Sequence, residues 1–354
     1  MLHKETTWGF PLHEKIDSSC RVNRIPNASI AFCDDTNRAD IFYVNNSIAD
    51  NAGSIKANET TKFQLGSVSK FITCSLFCEL ELRGFLRLDD PLPDLINSDV
   101  IGESIYSSIR HSISWRHLLC HRAGFKDRGG FKGIATEAGE HLEINKWCAD
   151  FSNIYDRDQV GSFHYSSFGY LVAQIALEKM MKESFDNLLQ RWICRPLGMD
   201  DMSCKNPDKD DGTIAKGHNS DGNLLSNGWN RYPGCEAAAG VWSSASDMGI
   251  LISHLLNNKK KPVSPDDPMI RFKNLIKMPK NWKYKLGVRE ERMEGRRVML
   301  HTGINPGYYA AVLVSPGSGK GIAVLTNMED AGYFTSALLQ RSQRLMVGNS
   351  AKNN

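Results

Sequence analysis

The chain has 354 residues, 41% hydrophobic and 23% charged, with 43 Lys and Arg against 40 Asp and Glu for a net charge of +3. That length suits two domains or one large two-lobed unit with an ample core, and the near-balanced charge offers no field to nucleic acid or an anionic membrane. No run approaches the ~20 apolar residues of a membrane span, residues 1–20 lack a secretory signal's apolar core, and nine irregularly spaced cysteines suit reduced thiols. The expectation is a cytoplasmic protein with no metal and no cofactor.

In chain order, Asn27–Cys33 and Ala39–Val44 are short β-prone runs separated by the polar turn Asp34–Arg38, a hairpin signal. Phe71, Cys74, Leu76, Phe77, Leu80 and Leu82 then recur at helical spacing up to Arg83-Gly84, where glycine can take the left-handed cap. Ser114–Leu119 reads as a short capped helix ending near Gly124, and about 126 to 160 as a loop or lid. His117-Leu118-Leu119-Cys120-His121 has the look of a metal-site fragment, but no second cluster with zinc-finger spacing completes it, and His121 and His164 read as structural.

Gly169–Leu177 has a buried-helix pattern, repeated over Phe185–Ile193 and ended by Arg195-Pro196-Leu197-Gly198. Residues 206 to 233 read as a second long loop, and Ala237–Ser244 leads into a helix over Asp247–Leu256 with Ser244 or Ser246 as N-cap. Lys259-Lys260-Lys261 reads as an exposed loop. Tyr308–Val314 and Gly321–Thr326 are apolar strands joined by Ser315–Lys320, and about 331 to 346 is a closing helix before a polar tail. Gly317, Gly319 and Lys320 are no phosphate loop, because a strand follows the lysine. Strands at both ends with helices between give an α/β plus α fold: an antiparallel sheet built from the N- and C-terminal segments, flanked by helices, with a mostly helical lobe inserted.

Ser67 and Lys70 stand one turn apart at the mouth of the first long helix, a spacing that puts hydroxyl and amine on one face. A serine hydroxyl attacks an acyl carbon only with a partner to take or relay its proton. S-x-x-K alone arises on the order of once by chance in such a chain. Its bland reading is a helix cap and a surface lysine.

Further motifs in order join it. Gly84-Phe85-Leu86-Arg87-Leu88-Asp89-Asp90-Pro91, Ile113–Phe125, Tyr165-Ser166-Ser167, Pro196-Leu197-Gly198-Met199, Gly240–Asp247 and His301-Thr302-Gly303 all follow at matching separations. With these the chain resembles the serine β-lactamase-like superfamily, in particular its branch of class C β-lactamases, D-aminopeptidases and esterases. The resemblance implies a sheet lobe of 1–66 and 240–354, a helical lobe of 67–239, and an active site between them. It implies Ser67 as nucleophile, Lys70 and Tyr165 as the groups that move its proton, and the backbone N–H groups of Ser67 and Ile304 as the oxyanion site. His301, Thr302 and Gly303 would line the strand along which substrate lies, with Ser167 also facing substrate.

Two departures from the family pattern narrow the chemistry. Ser167 replaces an asparagine, and His301 replaces the lysine that β-lactamases direct at the substrate carboxylate; a histidine near pKa ~6.5 is mostly neutral at pH 7. Both argue against efficient β-lactam hydrolysis. The expected activity is a serine hydrolase acting on a small-molecule ester or amide through an acyl-enzyme. An acyltransferase of the same fold, passing the acyl group to an alcohol or amine, and a catalytically dead scaffold are the alternatives.

Overall fold

A computed structural model describes residues 12–46, 55–93, 109, 112–126, 134–135, 154–207, 212–258, 262, 264–293 and 295–348. Lys259–Lys261, most of the stretch from 127 to 153 and the polar tail lie outside the described residues. The central sheet has six strands: β1 (Asn27–Asp34), β2 (Ala39–Asn45), β3 (Arg289–Met293), β4 (Arg296–Asn305), β5 (Tyr308–Ser315) and β6 (Lys320–Thr326). Their order is β2-β1-β6-β5-β4-β3, antiparallel throughout.

Period-2 alternation puts apolar residues on both faces of this sheet. Ile30, Phe32, Leu313, Ile322 and Val324 face one buried cluster, which includes Ile16 and Cys20 of α1 (Leu12–Val22) and Phe334 and Leu338 of α6 (Gly332–Gly348). Ala31, Cys33, Val312, Val314 and Leu325 belong to a second cluster with Met248, Leu251 and Leu255 of α5 (Ala245–Leu256). Ser244 caps α5, its side chain accepting from Asp247 N. A sheet covered by helices on both faces reads as continuous apolar strands, which is why β1, β5 and β6 stand out in the sequence.

Helix α2 (Ser69–Leu82) runs through the interior with every residue from Ser69 to Leu80 buried, so its apolar residues surround it instead of forming a stripe. It ends as its glycine requires: Gly84 takes φ +80°, with Gly84 N bonded to Glu81 O and Phe85 N to Leu80 O, both at 3.0 Å. Helix α3 (Trp115–Leu119) is shorter than its sequence suggests. It stops five residues before Gly124, with the same pair of bonds closed around His121, and Ala123–Phe125 is already a strand. Its partner is Tyr155–Val160, a half-exposed strand inside the stretch expected to be loop or lid. Its charged residues Asp156, Arg157 and Asp158 hide the strand period. Helix α4 (Ser167–Met181) follows directly, with residues Ser167 to Leu177 buried.

Candidate active site

The Ser67 segment enters as Phe63–Gln64, paired with Trp242–Ser243, and turns through Gly66 into a single tight turn, Gly66–Val68, that leads into α2. Gly66 has φ +51°, where a side chain is strained. It also has no room for one: a Cβ on Gly66 would lie 2.7 Å from Ile304 N, and one on Gly303 would lie 2.0 Å from Leu65 O and 2.7 Å from Ser67 N. Two glycines thus bring β4 backbone to backbone against the Ser67 turn. The amides of Ser67 and Ile304, the pair expected to bind an oxyanion, sit on these touching segments.

Lys70 is fully buried. Its Nζ donates to Ser67 Oγ and Ser167 Oγ, each at 3.1 Å, and to Ala238 O at 2.9 Å. The last acceptor lies in the turn Glu236–Gly240, whose Ala237 O also takes Thr73 Oγ1 at 2.7 Å. Three acceptors fix the amine between Ser67 and the start of α4. Ser167, expected to face substrate, therefore spends its hydroxyl on Lys70.

Tyr165 lies two residues before α4. Lys70 Nζ is 5.1 Å from the centroid of its ring, and the ring of His121 stacks on it at 4.3 Å with a 35° tilt. No hydrogen bond joins the Tyr165 hydroxyl to Lys70 among the described residues. The aromatic stack continues through Tyr284, 4.6 Å from His121, and Phe163, 5.7 Å from Tyr284.

His301 is buried on β4 with its Nδ1 donating to Gly287 O at 2.6 Å and the Tyr284 hydroxyl 3.4 Å away. Burial is the main cause that lowers its pKa to about 3, with the Lys70 charge adding to it, so the ring is neutral. Gly287 is itself wedged against α2, where a Cβ would lie 2.7 Å from Lys70 O, so the carbonyl that orients His301 is fixed by that helix. β3 pairs with β4 only from Arg296 to Leu300, and residues 301 to 305 run past its end beside the Ser67 turn. Alternation then separates the triplet. His301, Gly303 and Asn305 face Ser67, Asn305 donating to Gln64 Oε1 and Ala239 O, whereas Thr302 points to the other face and bonds the Tyr309 side chain. The exposed Ile304 side chain shares that other face, so what Ile304 brings to the site is its backbone.

His117 closes a capping box, its Nδ1 accepting from Ser114 N, which accounts for one half of the rejected histidine pair. Three groups that touch the site carry no sequence signal of their own: Ala238 O and Gly287 O are backbone, and Tyr284 lies in a stretch, Lys283–Arg289, with neither period nor motif. His121 had a signal, its place in the motif Ile113–Phe125, but was expected to be structural.

A sequence profile of the beta-lactamase family matches residues 21–342. The chain belongs to the beta-lactamase family. Among curated proteins, it is 25% identical over 188 residues to penicillin-binding protein 4 of Amycolatopsis lactamdurans, over 52% of this chain and 46% of that protein. It is 26% identical over 209 residues to a beta-lactamase-like protein of Dictyostelium discoideum, over 55% of this chain and 36% of that one. The matched stretch thus spans less than half the length of these curated family members. Among solved structures, the D-amino acid amidase of Ochrobactrum anthropi SV3 superposes with a TM-score of 0.73 at 18% identity, covering 96% of this chain and all of the amidase. A class C beta lactamase of Rhodobacter sphaeroides gives 0.70 at 16% identity over 96% and 98% of the two chains. At such identities the likeness establishes the shared β-lactamase fold.

Proposed function

We propose that this family member is a serine acyl hydrolase that cleaves an ester or amide through an acyl-enzyme on Ser67. The contact of Lys70 Nζ with Ser67 Oγ at 3.1 Å carries the reading. In it, Lys70 enters as the free amine: Ser67 Oγ bonds to the acyl carbon while its proton passes to that amine, giving the ammonium that donates to Ser67 Oγ, Ser167 Oγ and Ala238 O. The negative oxygen of the tetrahedral intermediate is held by the amides of Ser67 and Ile304. Tyr165 gives its phenol proton to the leaving group as that bond breaks and is reprotonated from Lys70; water then attacks the acyl carbon, and its proton returns through the same groups to Ser67 Oγ as the acyl group leaves. Ser167 and Ala238 O hold Lys70 in register throughout.

The neutral His301 bears on substrate choice. It leaves no fixed cation at the position where β-lactamases place a lysine, so an obligatory anion such as a β-lactam carboxylate has no partner there. Neutral esters and amides are the better fit.

The test is a fluorophosphonate probe with intact-mass readout on wild type and Ser67→Ala. One adduct on wild type and none on the variant supports the reading; no adduct on wild type, or one on both, overturns it. A panel of p-nitrophenyl esters, D-amino acid amides and nitrocefin then ranks the acyl group, with esters or amides expected to exceed nitrocefin. Adding alcohol or amine acceptors and measuring the product ratio separates hydrolysis from acyl transfer.

A further inference from the structure

We propose that His121 is a positioning residue, one that holds Tyr165 in place for proton delivery to the leaving group. The inference rests on the acyl-hydrolase reading above and adds to it a residue that motif and chemistry leave unassigned.

His121 touches three consecutive residues of the tyrosine segment. Its backbone carbonyl accepts from His164 N at 2.8 Å. Its ring stacks on the Tyr165 ring at 4.3 Å. Its Nδ1 lies 3.0 Å from Ser166 N and 3.1 Å from Ser166 O, so the ring bonds the Ser166 backbone in either tautomer. Backbone before the tyrosine, ring on the tyrosine and ring nitrogen after it form a clamp that fixes both the chain and the phenol plane. The His121 Nε2 is buried with no hydrogen-bond partner among the described residues. The ring is uncharged, because burial holds its pKa well below the ordinary 6.5, with Lys70 adding to the shift.

The backbone shows that the side chain is there for a reason other than ending α3. His121 N bonds to Leu118 O at 3.2 Å and Arg122 N to His117 O at 2.7 Å, the same closure that Gly84 and Phe85 make after α2. That closure favours glycine, and Gly84 supplies it; here a histidine takes φ +57° instead. The described residues include four non-glycine positions at positive φ: Arg24, Asn37, Lys182 and His121. The first three are exposed and His121 is buried. A strained backbone and an unsatisfied buried nitrogen meet in one residue, a combination that persists where function over-determines the structure.

Glycine is therefore the decisive substitution, because it suits the helix end and removes the clamp. His121→Gly relieves the positive φ but empties the space between Tyr165, Tyr170 and Tyr284, so its Tm is expected to fall modestly, and its kinetics are read well below that temperature. For a p-nitrophenyl ester, whose leaving group departs without a proton, kcat/KM, which reads acylation alone, should change less than about tenfold. For the matched alkyl ester, whose alkoxide must be protonated, kcat/KM should fall about 100-fold, the scale of a misplaced catalytic group. The dissociation constant of a non-hydrolysed ester analogue should stay unchanged. His121→Asn, which tolerates the same φ and presents an acceptor to Ser166 N, should recover part of the alkyl-ester loss.

Equal losses on the two esters, or no loss on either, overturn the inference while labelling of Ser67 keeps the parent reading alive. Absence of Ser67 labelling in wild type overturns both. If His121→Gly melts early, the ratio of the two esters in His121→Asn decides: an unchanged ratio refutes the clamp and a raised one supports it.

Discussion

The two sides of the Ser67 site are built on different principles. The Ser67 wall is set by backbone: Gly66 and Gly303 bring the Ser67 turn against β4, and carbonyls at Ala238 and Gly287 orient Lys70 and His301. The tyrosine wall is set by side chains: Tyr165 is held by the ring of His121, and Tyr284 and Phe163 continue the stack. A wall made of backbone tolerates no added atom, whereas a wall made of rings can be trimmed and repacked. The same site should therefore respond to substitution in two distinct ways.

The strongest test of that contrast is Gly303→Ala. The new methyl would meet Leu65 O and Ser67 N, both backbone, so neither can step aside. Activity should fall by about 1000-fold or more, the scale of a lost oxyanion donor, and the Tm should fall with it; wild-type turnover would show that the wall is not rigid. Lys70→Met comes next. Activity should drop about 100- to 10,000-fold, the range of a lost proton-transfer group, yet the Tm should hold or rise, because an apolar side chain of similar length relieves a buried charge. A large loss of stability there would make Lys70 a folding residue first.

His301 gives a pH test. Its folded pKa of about 3 lies below the ordinary 6.5, so its contribution to stability is present above pH 6.5 and is lost as pH falls toward 3. At pH 5 that loss amounts to roughly 2 kcal/mol. Asp247 works in the opposite sense, since burial raises its carboxyl to about 7. The measurement is therefore the difference in unfolding free energy between wild type and His301→Gln at pH 7 and pH 5. The wild type should lose its advantage at the lower pH; parallel curves would rule the effect out. The smallest effect is expected from Ser167→Ala, which removes one of three acceptors from Lys70: about tenfold in kcat with little change in Tm.

How far the sequence speaks for itself differs along the same line. The β1–β2 hairpin, α2 with its Gly84 stop, and strands β5 and β6 were readable because apolar period and a breaker residue coincide there. β3 and β4 were not, since Arg289–Met293 and Arg296–Arg297 are charged and half-exposed at the sheet's edge, where no apolar alternation is required. The Ser67–Lys70 contact followed from helical spacing, but the bond from Lys70 to Ser167 joins residues 97 apart and only the packing of α2 against α4 creates it. The opposite faces of His301 and Thr302 follow from the pleat once β4 is known to be a strand. His121 was visible as a motif member; its clamp depends on a left-handed turn that no residue preference announces.

The strand order carries a consequence for how the chain is made. β1 lies between β2 and β6, and Asn27 exchanges hydrogen bonds with Asn327, 300 residues further on. During synthesis at about 5 to 20 residues per second, the β1–β2 hairpin waits roughly 15 to 60 seconds for its second neighbour. Through that interval Ile30 and Phe32 lack the sheet that buries them, and one edge of β1 offers unpaired amides. Such non-local pairing makes for slow folding, and the waiting hairpin is the segment of this chain most exposed to misassociation before release from the ribosome.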